Sequence, residues 1–259
     1  MTGNDAAATP GGYMPLIEHL RELRRRGTWA VLALVAGTIA GYVLFPRLLV
    51  YLIAPYCDLP QTLRAVDECG LIALRPLEPF SVRIRTSLVV GLFLSAPVLF
   101  FQLWRFITPG LTSRERRFAM PFVLISQLLF GLGIGFAYLV IPRALGILLA
   151  LGGPLVTPML SATEYLSFFL AMSLAFGVIF EIPLVLISLT LVGVLNLQRL
   201  TSARPYAVVG MTIAAAIITP TTDAVTLLFV AGPMWFFYEF SVLIARLIGR
   251  RRDRNTAGT

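Results

Sequence analysis

Long apolar runs alternate with short charged clusters along this chain. No charged residue occurs from Gly27 to Pro46, Thr86 to Trp104, Phe118 to Pro142, Ala144 to Thr163, Tyr165 to Phe180 or Pro205 to Thr222. About 20 apolar residues rising ~1.5 Å each cover the ~30 Å hydrocarbon layer of a bilayer, so several of these runs are long enough to cross it. Backbone groups in lipid must bond within their own segment, which makes each crossing helical. The pattern predicts six spans, at 27–54, 79–106, 117–149, 164–192, 205–219 and 225–246. Within Ala144–Thr163, Gly152, Gly153, Pro154 and Pro158 interrupt a possible seventh span, and this stretch is read as the end of the third helix plus a loop. Spans five and six are expected to be short: residues 205–219 make only ~22 Å of helix, which either thins the surrounding lipid or is covered by neighbouring helices.

Before the first span, Leu16, Ile17, Leu20 and Leu23 form one helical stripe, with Glu18, Arg21, Glu22 and Arg25 elsewhere around the helix. Residues 14–26 therefore read as an amphipathic helix lying in the membrane interface. The expected organisation is a flexible tail at 1–13, this interfacial helix, a six-helix transmembrane domain over 27–247 and a basic cytoplasmic tail at 248–259. The composition agrees with an all-α polytopic membrane protein: 58% of residues are hydrophobic, 13% are charged and mean hydropathy is +0.85. No cleavable signal peptide is expected, because the first apolar run follows the arginine-rich segment and lacks a small-residue cleavage site.

The net charge of +8 would suggest nucleic acid in a soluble chain, but here it sets orientation. With both termini cytoplasmic, 15 of the 21 arginines and five acids fall on the inner side, against six arginines and six acids outside. A seventh span would export the arginine-rich tail, against the positive-inside rule. Cys57 and Cys69 both fall in the first outer loop, where disulfides persist, and are predicted to pair.

Few polar residues carry candidate chemistry. On the arginine-dominated inner side, Asp5 and Asp253 in the polar tails apart, the acids are Glu18, Glu22 and Glu115, which suit guanidinium ligands, whose planar fork bonds both carboxylate oxygens; the alternative is local pairing, Glu22 with Arg26 four residues on and Glu115 with its neighbouring helical turn. Glu181 sits mid-span, where an ionised carboxylate costs ~3 kcal/mol or more, so it is expected to face a cavity or a partner, with Gln102 and Gln127 as available donors. Glu239 lies nearer the inner surface and pairs readily with an arginine of its own tail, while Asp223 reads as a turn or helix-start residue. There is no phosphate-cradling glycine loop, no His-Glu-x-x-His and one histidine, His19, so neither an enzyme, a metal site nor a cofactor is expected.

Four segments together resemble the TatC family, the large polytopic subunit of the twin-arginine protein translocase. They are HLRELRRR at His19–Arg26, LSAPVLFFQLWRFITPGLTSRERR at Leu94–Arg117, AFGVIFEIP around Glu181, and ITPTTD ending at Asp223. The resemblance implies six helices in a concave, cupped-hand arrangement in the cytoplasmic membrane. It implies a receptor for twin-arginine signal peptides of folded cargo, with Glu22, Glu115, Arg24 and Phe106 forming the peptide-binding surface. Glu181 would lie inside the concave face, where single-span TatA and TatB type subunits act, and Pro55 and Asp223 at outer positions with structural or partner-contact roles. Homo-oligomerisation within a larger complex, contact with membrane lipid and drive by the proton gradient are implied likewise. Two rival readings are a proton-coupled small-solute transporter using Glu181 and Glu239, and a scaffold that assembles membrane proteins without binding cargo.

Overall fold

The structure, a computed structural model, describes residues 16–61, 69–107, 119–151, 153, 160–191, 195–219 and 224–256. Seven helices are described: α1 (Leu16–Cys57), α2 (Glu78–Ile107), α3 (Ala119–Ala150), α4 (Ala162–Leu191), α5 (Leu197–Ser202), α6 (Arg204–Ile218) and α7 (Ala224–Thr256). Five of them, α1 to α4 and α7, are long and apolar enough to cross a membrane, and α6 is a shorter apolar helix. Helix α3 ends at Ala150, and Gly153 beyond it takes φ +69°, in the left-handed region open to glycine.

Three features differ from the sequence expectation. The interfacial helix and the first span are one continuous helix of 42 residues. Gly27 alone is too weak a breaker, and the Arg26–Glu22 ion pair and a Thr28 hydroxyl bond to the Arg24 carbonyl at 2.9 Å bracket it. The last span is not short: its apolar part covers Ala224–Leu247, 24 residues, and the helix runs on to Thr256 because no proline follows Pro233. Finally, α5 is an added turn of six residues, started by Asn196, whose side chain accepts from the Arg199 N–H at 2.8 Å.

Small residues set the closest packing. A Cβ on Gly37 would lie 2.5 Å from the Gly91 carbonyl oxygen, and one on Gly41 2.8 Å from that of Ser87, so α1 and α2 touch backbone to backbone. Gly133 of α3 likewise meets the Phe176 backbone of α4. Helix α4 is the most buried span, packed against α2, α3, α6 and α7. Tyr165, Met172, Phe176 and Ile179 on it form the centre of the core together with Tyr56 and Val230.

A proline inside α1 opens a gap that another helix closes. Pro46 has no N–H to give the Tyr42 carbonyl, and Arg83 of α2 supplies the missing donor, its Nη2 at 3.2 Å and its guanidinium stacked 4.0 Å from the Tyr42 ring centroid. Near Pro55, the Tyr165 hydroxyl adds a cross-helix donor to the Leu52 carbonyl at 2.7 Å. A bared carbonyl finds no water in lipid, so these cross-helix bonds fix how the helices pair.

Candidate functional site

The stripe Glu22, Arg25, Arg26 and Trp29 follows the i, i+3, i+4, i+7 rule and so falls on one side of α1. That side faces the last turns of α2, and with Gln102 and Arg105 it lines a cleft of about 260 Å³. The Glu22 and Arg26 side chains are 23% and 13% exposed and form an ion pair through Glu22 Oε1 and Arg26 Nη2. Arg26 Nη1 also lies 3.5 Å from the Gln102 carbonyl, at the outer limit of a hydrogen bond. Glu22 Oε2 is buried and has no hydrogen-bond partner among the described residues. A carboxylate has room for about four donors, so half of this one is unused.

The cleft is therefore a cation site already holding a cation. Among the described lining residues, three guanidinium groups surround one carboxylate, and Glu22 is the group that offers a cationic ligand any attraction. Arg24, two positions on from Glu22 and so turned well away from it around the helix, is exposed outside the cleft. The Phe106 backbone closes α2, and its side chain lies outside the described residues, as does Glu115. Spacing along α1 is the signal that would have found Arg25 and Trp29, whereas Arg105 enters only through the pairing of α1 with α2.

A second polar group lies deeper. Glu181 of α4 hydrogen-bonds with the Ser126 side chain of α3, and the Trp104 indole N–H of α2 donates to Ser126 Oγ at 3.1 Å. Glu181 Oε1 is buried with no hydrogen-bond partner among the described residues. Gln102, expected beside Glu181, lines the Glu22 cleft instead. It lies two residues from Trp104, about 200° around α2, so the two side chains leave the helix on opposite sides. Gln127 has its own side-chain oxygen buried and unpartnered among the described residues. Trp104 stacks on Phe122, with ring centroids 4.9 Å apart, which holds the indole toward α3.

The remaining candidates fall elsewhere. Glu239 pairs with Arg204 at the start of α6, at 2.8 Å. Tyr238 beside it donates to the Leu200 carbonyl at 2.6 Å, tying α7 to α5. Pro55 is buried inside α1, near the end that carries Cys57. Cys57 and Cys69 are bonded to each other, with Cα atoms 5.5 Å apart. Asp223 lies outside the described residues. Among the described residues, no cluster of three or more His, Cys, Asp or Glu could hold a metal ion.

Comparisons with known proteins place this geometry in context. Residues 18–233 match the family model described as Sec-independent protein translocase protein (TatC). The chain is 40% identical over 247 residues to the Sec-independent protein translocase protein TatC of Frankia casuarinae, a match covering 93% of this chain and 68% of that one. It is 40% identical over 242 residues to the protein of the same name from Aquifex aeolicus, covering 92% and 98%. A crystal structure of the twin-arginine translocase receptor TatC in DDM superposes with a TM-score of 0.78 at 39% identity, covering 88% of this chain and 99% of that one.

Proposed function

The chain belongs to the TatC family of Sec-independent protein translocase components, and on that premise we propose that its Glu22 cleft receives the paired arginines of signal peptides on cargo to be exported. The observation that carries this reading is the half-used carboxylate: Glu22 offers one buried, unpartnered oxygen in a cleft with room for a guanidinium group. Glu115 joins it as the second acid, from the connection between α2 and α3, with Arg24 meeting the peptide outside the cleft and Phe106 as a further contact. The chain spans the cytoplasmic membrane with both termini inside, as the arginine distribution favours.

The apolar part of the signal peptide then lies along the helices, and the occupied receptor recruits single-span TatA and TatB type subunits. Glu181 is the natural contact for a polar group on such a helix, because a lone carboxylate oxygen in an apolar span gains strongly from a donor. The short α6, surrounded by thinned lipid, and a homo-oligomeric complex driven by the proton gradient complete the scheme. A small-solute transporter carrying protons on Glu181 and Glu239 is disfavoured, since Glu239 is held by Arg204.

The test is crosslinking to this chain from a probe placed on a signal peptide beside its two adjacent arginines. Crosslinks lost when both arginines become glutamine support the reading, whereas unchanged crosslinking with Glu22→Ala and Glu115→Ala combined would overturn it. For Glu181, a Gln variant is expected to bind signal peptide normally and to lose export; normal export would reduce Glu181 to a structural role.

A further inference from the structure

The Glu22 cleft holds more positive charge than its carboxylate answers. Arg25, Arg26 and Arg105 line it against the one carboxylate of Glu22, so the described lining carries a net charge of +2. Arg26 is ion-paired with Glu22, whereas Arg25 and Arg105 are exposed and form no ion pair among the described residues. Arg105 has only the Phe101 ring of its own helix beside it, 5.9 Å to the centroid. We propose that Arg25 and Arg105 hold the phosphate of an anionic phospholipid, whose tail lies against the exposed apolar residues that follow the cleft along α1.

The depth of the cleft points to a lipid. Gly27, which opens the charge-free run of α1, follows Arg26, and Trp104, which closes that of α2, precedes Arg105. Arg26 Nη1 lies 3.5 Å from the Gln102 carbonyl, which sets the two boundaries level. A bilayer keeps its phosphates in the layer flanking the hydrocarbon, and the free guanidinium groups stand at that layer. Trp29 on the cleft wall is 56% exposed, and its ring is of the kind that settles at the headgroup level. Leu32, one turn farther into the charge-free run, is 53% exposed and offers an acyl chain its first contact.

The chemistry agrees with the depth. A guanidinium fork can bond two phosphate oxygens at once, and a basic cleft between spanning helices is a setting that holds anionic headgroups. A volume of about 260 Å³ gives the phosphate room. A zwitterionic lipid brings an ammonium group into surroundings that are already positive, so an anionic one is preferred. The phosphate engages the arginines and leaves Glu22 Oε2 untouched. Lipid and the cationic leader therefore use different atoms of one cleft, and the lipid site stands whether or not the peptide reading does.

The experiment titrates the full chain, in a neutral detergent, with phosphatidylglycerol carrying a fluorescent tail, and with the matching phosphatidylcholine. The wild-type chain is expected to bind the first about tenfold more tightly. Arg25→Gln combined with Arg105→Gln is expected to weaken phosphatidylglycerol about tenfold to thirtyfold, the effect of two arginines at an anionic headgroup, and to leave phosphatidylcholine unchanged. Lysine at both positions keeps the charge without the fork and falls between. Arg47→Gln combined with Arg85→Gln, which alters two exposed arginines on the same helices outside the cleft lining, stays within about twofold of wild type. Glu22→Gln does not weaken the lipid, although on the peptide reading it weakens the leader, so the two ligands separate on one variant.

The proposal is overturned if the wild-type chain does not prefer phosphatidylglycerol, or if the two glutamine pairs weaken it equally, which would reduce the effect to general surface charge. It falls as well if Glu22→Gln weakens the lipid as the cleft pair does, or if an equal concentration of inorganic phosphate displaces it, which would assign the arginines to a soluble anion.

Discussion

Glu22 and Glu78 stand at opposite ends of the α1–α2 pair and are held in opposite ways. Glu78 is buried, and both of its oxygens are used: Oε2 accepts the Leu74 and Arg75 N–H groups at 2.7 and 3.3 Å, and Oε1 accepts the Thr163 N–H at the start of α4 at 2.8 Å. Around it, Ala162 N–H donates to the Ile72 carbonyl at 2.8 Å, and Ser161 and Glu164 cap α4 reciprocally at 3.0 and 3.2 Å. Glu22 has one oxygen on a side chain of its own helix and one on nothing described. The same functional group is thus a clamp where its donors are backbone, fixed by the fold, and a receptive site where its partner is a long side chain that can leave. Saturation by backbone donors marks a carboxylate as structural; a side-chain partner and a spare oxygen leave it open to a ligand.

The contrast is sharpest in the response to mutation. Glu78→Ala strips three N–H groups of their acceptor and is expected to give the largest loss of thermal stability, a fall in Tm of roughly 5–10 °C in detergent, while Glu22→Ala shifts Tm by at most ~2 °C. Equal shifts would erase the distinction. Next in size is the Cys57–Cys69 bridge, which closes a ring across a sequence separation of 12 beside the clamp. In the chain-entropy model a ring this short contributes about 3 kcal/mol, so reduction should lower stability at the Glu78 end without changing peptide binding. Alkylation of both thiols in unreduced, denatured protein would remove the bridge from this account. Tyr165→Phe, which removes the cross-helix donor to the Leu52 carbonyl, is expected to cost about 1 kcal/mol by denaturant titration. Smallest for stability and largest for function is Glu22→Gln: within about 0.5 kcal/mol of wild type in unfolding, since a surface-edge i,i+4 pair contributes little, yet unable to select arginine leaders.

Much of this frame was legible in the chain. Apolar runs fix where the spans lie because a bilayer demands a minimum length, and the Gly152–Pro158 interruption marked the end of α3. The junction at Gly27 was not legible, since an amphipathic stripe followed by an apolar run looks the same whether or not the helix bends between them. Nor was α5, too short for any period to show. Glu22 stood out as an acid among arginines, but its cleft depends on α2 meeting α1, which the sequence does not specify. Glu78 was counted only as an outer charge: one of its donors is 85 residues away. The capping pair Ser161 and Glu164 was readable from its spacing and would have signalled where α4 begins.

The bond between Arg83 and the Tyr42 carbonyl has a consequence for how this chain tolerates change. Pro46 and Arg83 act as a lesion and its suture, and their substitutions are epistatic: exchanging the proline for leucine first restores the native donor of the helix and leaves the arginine dispensable, whereas removing the arginine first bares a carbonyl to hydrocarbon. Drift through this pair of sites is consequently directional, with a permissive route through position 46 and a barred one through position 83.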